Sequence, residues 1–185
     1  RVETAARRRT PAILASQALE RGDETMAGAI ARWEAVVNEA ARVSDLATLG
    51  DLYARAGRLA DLAGLVPRME ALARDDGERM RAALMRADFA KARGDGTARR
   101  AALEAAISHG EAHLAGSNDT AAPFMLALAR YAFVLEAGGT LDATTARRQI
   151  DLALPVFEAA VAANPGNELL EKEVVRGQLL SLTVR

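Results

Sequence analysis

A chain of 185 residues holds one sizeable domain or one array of several short repeats. Half of it is hydrophobic but only 4% is aromatic, so its core is expected to be alanine-rich, which suits closely packed helices better than a β-sandwich. The net charge of −1, from 24 basic and 25 acidic side chains mixed along the chain, argues against a nucleic-acid surface, and the absence of cysteine removes disulfides, thiolate catalysis and cysteine-based zinc sites.

Read from its start, the chain opens on Arg7-Arg8-Arg9, expected to be a solvated helix face. Pro11 falls near a helix start, where a missing N–H costs nothing, and Arg21-Gly22-Asp23 closes the first helical stretch. Ala29, Trp33 and Val36 lie in the second. Ser44-Asp45 caps a third, in which Leu46, Leu49, Tyr53 and Ala56 recur at helical spacing before Ala56-Gly57-Arg58 ends it. A fourth carries Pro67 inside its pattern, expected as a kink or a broken first turn. Asp75-Asp76-Gly77 and Arg93-Gly94-Asp95-Gly96 bracket the fifth. Thr97 is the expected cap of a sixth, which ends at Gly116-Ser117-Asn118-Asp119.

Pro123 sits near the start of the seventh, where Phe124, Leu128, Tyr131 and Leu135 recur, and Gly138-Gly139-Thr140 ends it. Asp142 caps an eighth stretch that holds Pro155 and closes at Asn164-Pro165-Gly166-Asn167. A last helix is expected from Glu168 to Val184, with Leu169, Leu170, Val174 and Leu180 as its apolar face. No period-two run interrupts this pattern, so an all-α chain of about nine helices joined by short turns is predicted. No apolar run approaches the ~18 residues of a membrane span. The first residue is Arg, not Met, and the alanine- and arginine-rich composition reads as bacterial, so the chain is expected to be one part of a longer bacterial protein. The compartment stays open between cytoplasm and periplasm, with a slight preference for the cytoplasm.

Internal spacing adds a repeat. Leu46, Leu49, Gly50 and Tyr53 align with Ala12, Ala15, Ser16 and Leu19 one period earlier and with Met80, Ala83, Leu84 and Ala87 one period later. A more distant copy reads Phe124, Ala127, Leu128 and Tyr131. The period is about 34 residues, and Leu46-x2-Leu49-Gly50-x2-Tyr53 followed by Gly57 resembles the first helix of the tetratricopeptide repeat family, with leucine in place of tryptophan. Ala153, Phe157, Ala160 and Pro165 resemble its second helix, and Ala29, Trp33 and Val36 the same pattern shifted by one residue. The third repeat's second helix, around Leu103 and Ile107, fits poorly, and the fourth repeat holds about 13 extra residues near Gly138 to Thr145.

The resemblance implies a single TPR-like domain over 1–185, a right-handed α-solenoid of stacked antiparallel helical hairpins. Its repeats would cover roughly 10–43, 44–77, 78–117 and 118–166, with a closing helix over 167–185. Gly50 or Ser16 would let the two helices of a hairpin approach closely, and Tyr53 or Tyr131 would fill the gap to the next hairpin. It also implies a protein-interaction scaffold that holds a peptide or helix of a partner protein, or another domain of the same polypeptide, in a concave groove lined by first helices. Carried over by position, that groove takes Asp51 and Arg55, then Arg81, Met85, Asp88 and Phe89, then Met125, Ala129 and Phe133. Methionine and phenylalanine ringed by charge suit an adaptable peptide site, with Phe89 and Phe133 as its apolar anchors.

Other chemistry is thin. His109 and His113 are four residues apart, but Gly110 stands where a zinc-protease pattern needs glutamate, and Glu111 comes one residue late. A third ligand would have to come from Asp119. Two Arg-Gly-Asp triplets, at 21–23 and 93–95, are ordinary turn chemistry. Trp33 and the other aromatics sit at packing positions. No nucleophile motif is present, so no enzyme, cofactor or metal site is expected. The two rivals to a scaffold are a regulatory or sensor domain of a signalling protein and a metal-dependent enzyme built on His109 and His113.

Overall fold

In a computed structural model of the chain, which describes residues 2–183, nine helices follow one another with no strand among the described residues. They are α1 (Val2–Arg21), α2 (Met26–Ala40), α3 (Val43–Arg55), α4 (Leu59–Leu72), α5 (Asp76–Ala92), α6 (Gly96–Gly116), α7 (Ala122–Ala137), α8 (Ala143–Ala163) and α9 (Glu168–Thr183). Every turn segment picked out in the sequence lies at a helix end, and the fold is all-α as the periodicity predicts. Val184 and the side chain of Leu169 lie outside the described residues.

The helix ends have recognisable causes. Thr25 Oγ1 accepts from the Gly28 N–H at 3.0 Å, the Asp75 carboxylate from the Glu78 N–H at 2.8 Å, and the Asp142 carboxylate from the Thr145 N–H at 2.9 Å. Each satisfies one of the orphan donors of a first turn. At the other end, α1, α3 and α5 close in the same way. Asp23 N donates to Ala18 O and Gly22 N to Leu19 O; Arg58 N donates to Tyr53 O and Gly57 N to Ala54 O; Asp95 N donates to Ala90 O and Gly94 N to Lys91 O. This bond pair needs a left-handed residue after the helix, and Gly22, Gly57 and Gly94 supply it with φ of 80°, 70° and 70°.

Four local expectations change. Pro11 lies in the middle of α1, which begins at Val2. The cap of α3 is Arg42, and Asp45 falls within the first turn, where its carboxylate accepts the Arg42 backbone N–H at 3.3 Å. Thr97 is inside α6, which begins at Gly96. The link between α7 and α8 covers only residues 138–142, so the extra length of that stretch sits mostly in α8 and not in an inserted loop.

The chain divides into two compact units, Arg1–Asp95 and Gly96–Arg185. The division falls inside the expected repeat 78–117, with its first helix in one unit and its second in the other.

In the first unit α2, α3 and α4 follow as packed neighbours, and α5 packs on both α3 and α4. The core gathers Trp33, Val36 and Val37 from α2, Leu46, Leu49 and Tyr53 from α3, Leu62, Leu65 and Met69 from α4, and Met85 from α5. Alanines 12 and 15 complete it from α1. The expected contacts of two residues change direction. A Cβ on Gly50 would lie 2.5 Å from Sδ of Met85 and 3.4 Å from Leu62 Cδ1, so this glycine chiefly admits α5. Tyr53 turns back toward α2, donating its hydroxyl to Glu34 Oε1 at 2.8 Å, with the Arg58 guanidinium 4.5 Å from its ring centre.

In the second unit α6, α7, α8 and α9 pack in chain order. Ala127, Tyr131 and Val134 from α7 meet Ala146, Ile150, Ala153 and Phe157 from α8. Phe157 is fully buried, 5.4 Å edge-on from Phe124 and 4.7 Å from Tyr131 between ring centres. Arg147 Nη1 donates to the Ser181 carbonyl at 3.2 Å, tying the start of α8 to the end of α9.

Burial pushes both tyrosines of the chain up to about 12 from an ordinary value of 10, Tyr53 with help from its bond to Glu34 and Tyr131 with help from the charges of Glu158 and Glu173. Both phenols are protonated in folded and unfolded chains below pH 10, so their full contribution is present there. Between 10 and about 12 the folded state holds protons that the unfolded state has lost, and stability falls as pH rises. The pH-dependent change in absorbance at 295 nm reports the ionisation of these two side chains. Tyrosine ionisation is expected to coincide with loss of helix above pH 10 in a circular dichroism titration, and ionisation near 10 with helix intact would contradict the burial.

Candidate functional site

The candidate groove residues of the first unit depend on how α1, α3 and α5 lie beside one another. In the first half of α1, Arg9 Nε and Nη2 donate to both oxygens of Asp45 at 2.9 and 2.6 Å across 36 residues. Near its end, Arg55 Nη1 donates to Glu20 at 2.6 Å across 35 residues. Two contacts at nearly constant offset mean that α1 and α3 run parallel. Met85 of α5 fills the space over Gly50 of α3 at a similar offset.

On this framework Asp51 and Arg55 are exposed, and Arg55 sits between Glu20 and Asp51, the latter 3.9 Å away. The hydrogen bond that Arg55 donates to Glu20 holds its guanidinium pKa above the ordinary value. Asp88 is exposed, and Phe89 is half-buried with the Arg93 guanidinium 5.5 Å from its ring centre, within reach of cation–π attraction. Arg81 lines a cavity of about 290 Å3 with Arg42, Ser44, Leu72, Arg74 and Glu78, at the turns that lead into α3 and α5. Carboxylates, guanidinium groups and one half-buried ring offer the chemistry of reversible polar binding.

Burial removes three of the candidates from any surface. Met85 is 6% exposed because its thioether fills the space that Gly50 leaves. Ala129 and Phe133 of α7 are buried in the second unit, Phe133 beneath the Arg100 guanidinium at 5.5 Å. Met125 is half-buried there. Positional transfer puts all of them on first helices, but α7 is apolar on more than one side, burying Leu126, Ala127, Ala129, Arg130, Tyr131, Phe133 and Val134. Phe89 is therefore the accessible aromatic among the candidates.

The first-unit ion pair was not anticipated. Arg9 belongs to a run expected to be solvated, yet its side chain is 17% exposed and that of Asp45 is 4%. The signal lies in the repeat spacing, which places Arg9 opposite Asp45 once α1 is extended back beyond residue 10. Arg130 is a buried cation, held by Glu111 at 2.7 Å. His113 Nε2 lies 3.4 Å from Asp119 Oδ2, and among the described residues no group of three histidine or carboxylate side chains is arranged to hold a metal ion. No helix of the described residues is long and apolar enough to cross a membrane.

Comparison of the chain with protein-family models, with curated proteins and with solved structures finds no match.

Proposed function

We propose that this chain is a tetratricopeptide-like helical repeat, a right-handed solenoid of hairpins, acting as a protein-interaction scaffold. Its ligand is a peptide or helix of a partner protein, or a segment of another domain of its own polypeptide, held on the face of α1, α3 and α5. The observation that carries the reading is the nearly constant offset between α1 and α3: 36 residues from Arg9 to Asp45 and 35 from Glu20 to Arg55. The same glycine closure at Gly22, Gly57 and Gly94 supports it. Hairpins displaced by one repeat bury each other's apolar stripes and leave one helix of each pair for a ligand.

Asp51, Arg55, Asp88 and Phe89 form the binding face, with Arg81 at its edge. Phe89 is the apolar anchor, because a few central aromatic residues supply most of the energy of such interfaces. Arg55 already has two carboxylates, so an acidic ligand group competes with them and affects association rate and salt dependence more than affinity. The reading is one of binding, with no catalytic step.

The test is to recover a partner from the source organism with the native chain, then to titrate it against Phe89→Ser and Arg55→Glu. Phe89→Ser is expected to weaken binding by about ten-fold or more, and Arg55→Glu to change its salt dependence. Two folded variants that bind as the native chain does would remove this face from the function.

A further inference from the structure

The turns that lead into α3 and α5 gather guanidinium groups in a chain that is otherwise balanced in charge. Arg42, Arg74 and Arg81 line one cavity of about 290 Å3, with Ser44 and Glu78 as its other polar groups. The carboxylates at these helix starts are engaged by other donors. Glu78 Oε2 accepts the Arg74 backbone N–H at 2.8 Å, and the Asp75 carboxylate accepts the Glu78 N–H. Asp45 is held by Arg9 and by the Arg42 backbone N–H, and Asp76 lies 3.3 Å from Arg79. Arg42 and Arg74 thus meet these acids through the backbone alone. Among the described residues their guanidinium groups make no ion pair.

The start of α3 departs from ordinary capping at the same place. Its N-cap is Arg42, whose side chain has no acceptor to offer, and no side-chain bond caps the helix. The residue also puts positive charge at the positive end of the helix dipole. An anion in the cavity resolves both conflicts, because it balances the guanidinium charge and accepts from first-turn N–H groups.

We propose that this cavity binds a phosphate monoester, with Arg42 and Arg74 as its principal donors and Arg81 and the Ser44 hydroxyl completing its contacts. Size and charge select that group. The cavity falls just below the roughly 300–1,000 Å3 of sites for drug-sized ligands, so it takes one functional group and not a whole cofactor. A carboxylate has one charge on two oxygens and is satisfied by a single arginine fork. A phosphate monoester carries about −1.5 to −2 at pH 7 and presents three acceptor oxygens, enough to engage all three arginines. Nucleic acid would need a row of phosphate contacts, whereas Asp51 and Asp88 are exposed further along α3 and α5. The phosphate is carried by a phosphorylated residue of the ligand peptide or by a small phosphorylated molecule. The first source rests on the binding face proposed above. Inorganic phosphate probes the cavity without a partner, so a failure here leaves the test of Phe89 and Arg55 standing.

The test titrates the full chain with inorganic phosphate at about pH 7.5, where the dianion predominates, at constant ionic strength, and follows backbone amide shifts by NMR. Saturable shifts are expected at residues 42–44 and 74–81, with acetate weaker by about ten-fold or more. Arg42→Ala/Arg74→Ala should weaken phosphate binding by about ten-fold or more. Arg148→Ala/Arg176→Ala, which removes two exposed charges from the second unit, should not. Arg42→Asn separates binding from structure. It supplies the missing cap and should raise the melting temperature, yet it should weaken phosphate binding. A blocked Gly-phosphoserine-Gly peptide identifies the source. Tighter binding than inorganic phosphate assigns the cavity to a phosphorylated segment, and weaker binding assigns it to a small phosphorylated molecule. Shifts that do not saturate, equal affinity for acetate, or undiminished phosphate binding by Arg42→Ala/Arg74→Ala would overturn the proposal.

Discussion

Phe157→Ala is expected to destabilise the second unit by about 3–5 kcal/mol, the usual cost of truncating a fully buried phenylalanine. The ring is fully buried at the centre of the α7–α8 contact and lies against both Phe124 and Tyr131. Its removal therefore loses two aromatic contacts as well as the transfer energy of the side chain. The surroundings resist collapse into the space, because Tyr131 is already braced against Gly177. Urea denaturation followed by circular dichroism, with hydrogen exchange in α8 to localise the effect, measures the loss. Phe157→Leu should retain most of the stability. A change under about 1 kcal/mol for the alanine variant would mean that Phe157 is not enclosed.

Asp45→Ala is expected to cost the first unit about 3–5 kcal/mol, because it leaves a poorly hydrated guanidinium without its partner. Asp45 accepts from two nitrogens of Arg9 and from the Arg42 backbone, and the Arg9 side chain is only 17% exposed. The loss reflects the stranded charge more than the net worth of the pair. The double variant Arg9→Met/Asp45→Leu, which replaces both charges with apolar groups of similar size, should recover most of it. Urea denaturation of the three proteins separates these terms. A double variant no more stable than Asp45→Ala would show that the pair contributes by more than charge compensation.

The helical class and most helix ends were legible because their causes are local. Gly22, Gly57 and Gly94 mark closures that depend on backbone conformation alone, and Asp142 caps α8 from within its own turn. The core positions Leu46, Leu49 and Tyr53 follow from helical spacing, and each is buried. Contact direction was less accessible. The turn of Tyr53 back toward α2 depends on Glu34 and Arg58, which no periodicity singles out. Gly50 was expected to bring α3 and α4 together, but Met85 from α5 takes the space. The same limit affects the candidate groove. A position on a first helix does not say whether its side chain is covered, and Phe133 is buried while Phe89, at a comparable position, stays partly accessible. Pro11 illustrates an opposite error, since a proline within α1 is read as a helix start when only its missing N–H is considered.

The measurement that bears most directly on the repeat is intramolecular cross-linking between α1 and α3. The chain has no cysteine of its own, so a Glu20→Cys/Arg55→Cys variant presents a single defined thiol pair at the 2.6 Å contact between these side chains. Parallel first helices offset by one repeat predict rapid cross-linking of that pair by a short bismaleimide. They predict little for Glu20→Cys/Ser44→Cys, because Ser44 lies at the opposite end of α3, beside the Arg9–Asp45 contact. Efficient cross-linking of the second pair and not the first, in a folded monomer, would mean that α1 and α3 run antiparallel and would contradict the repeat.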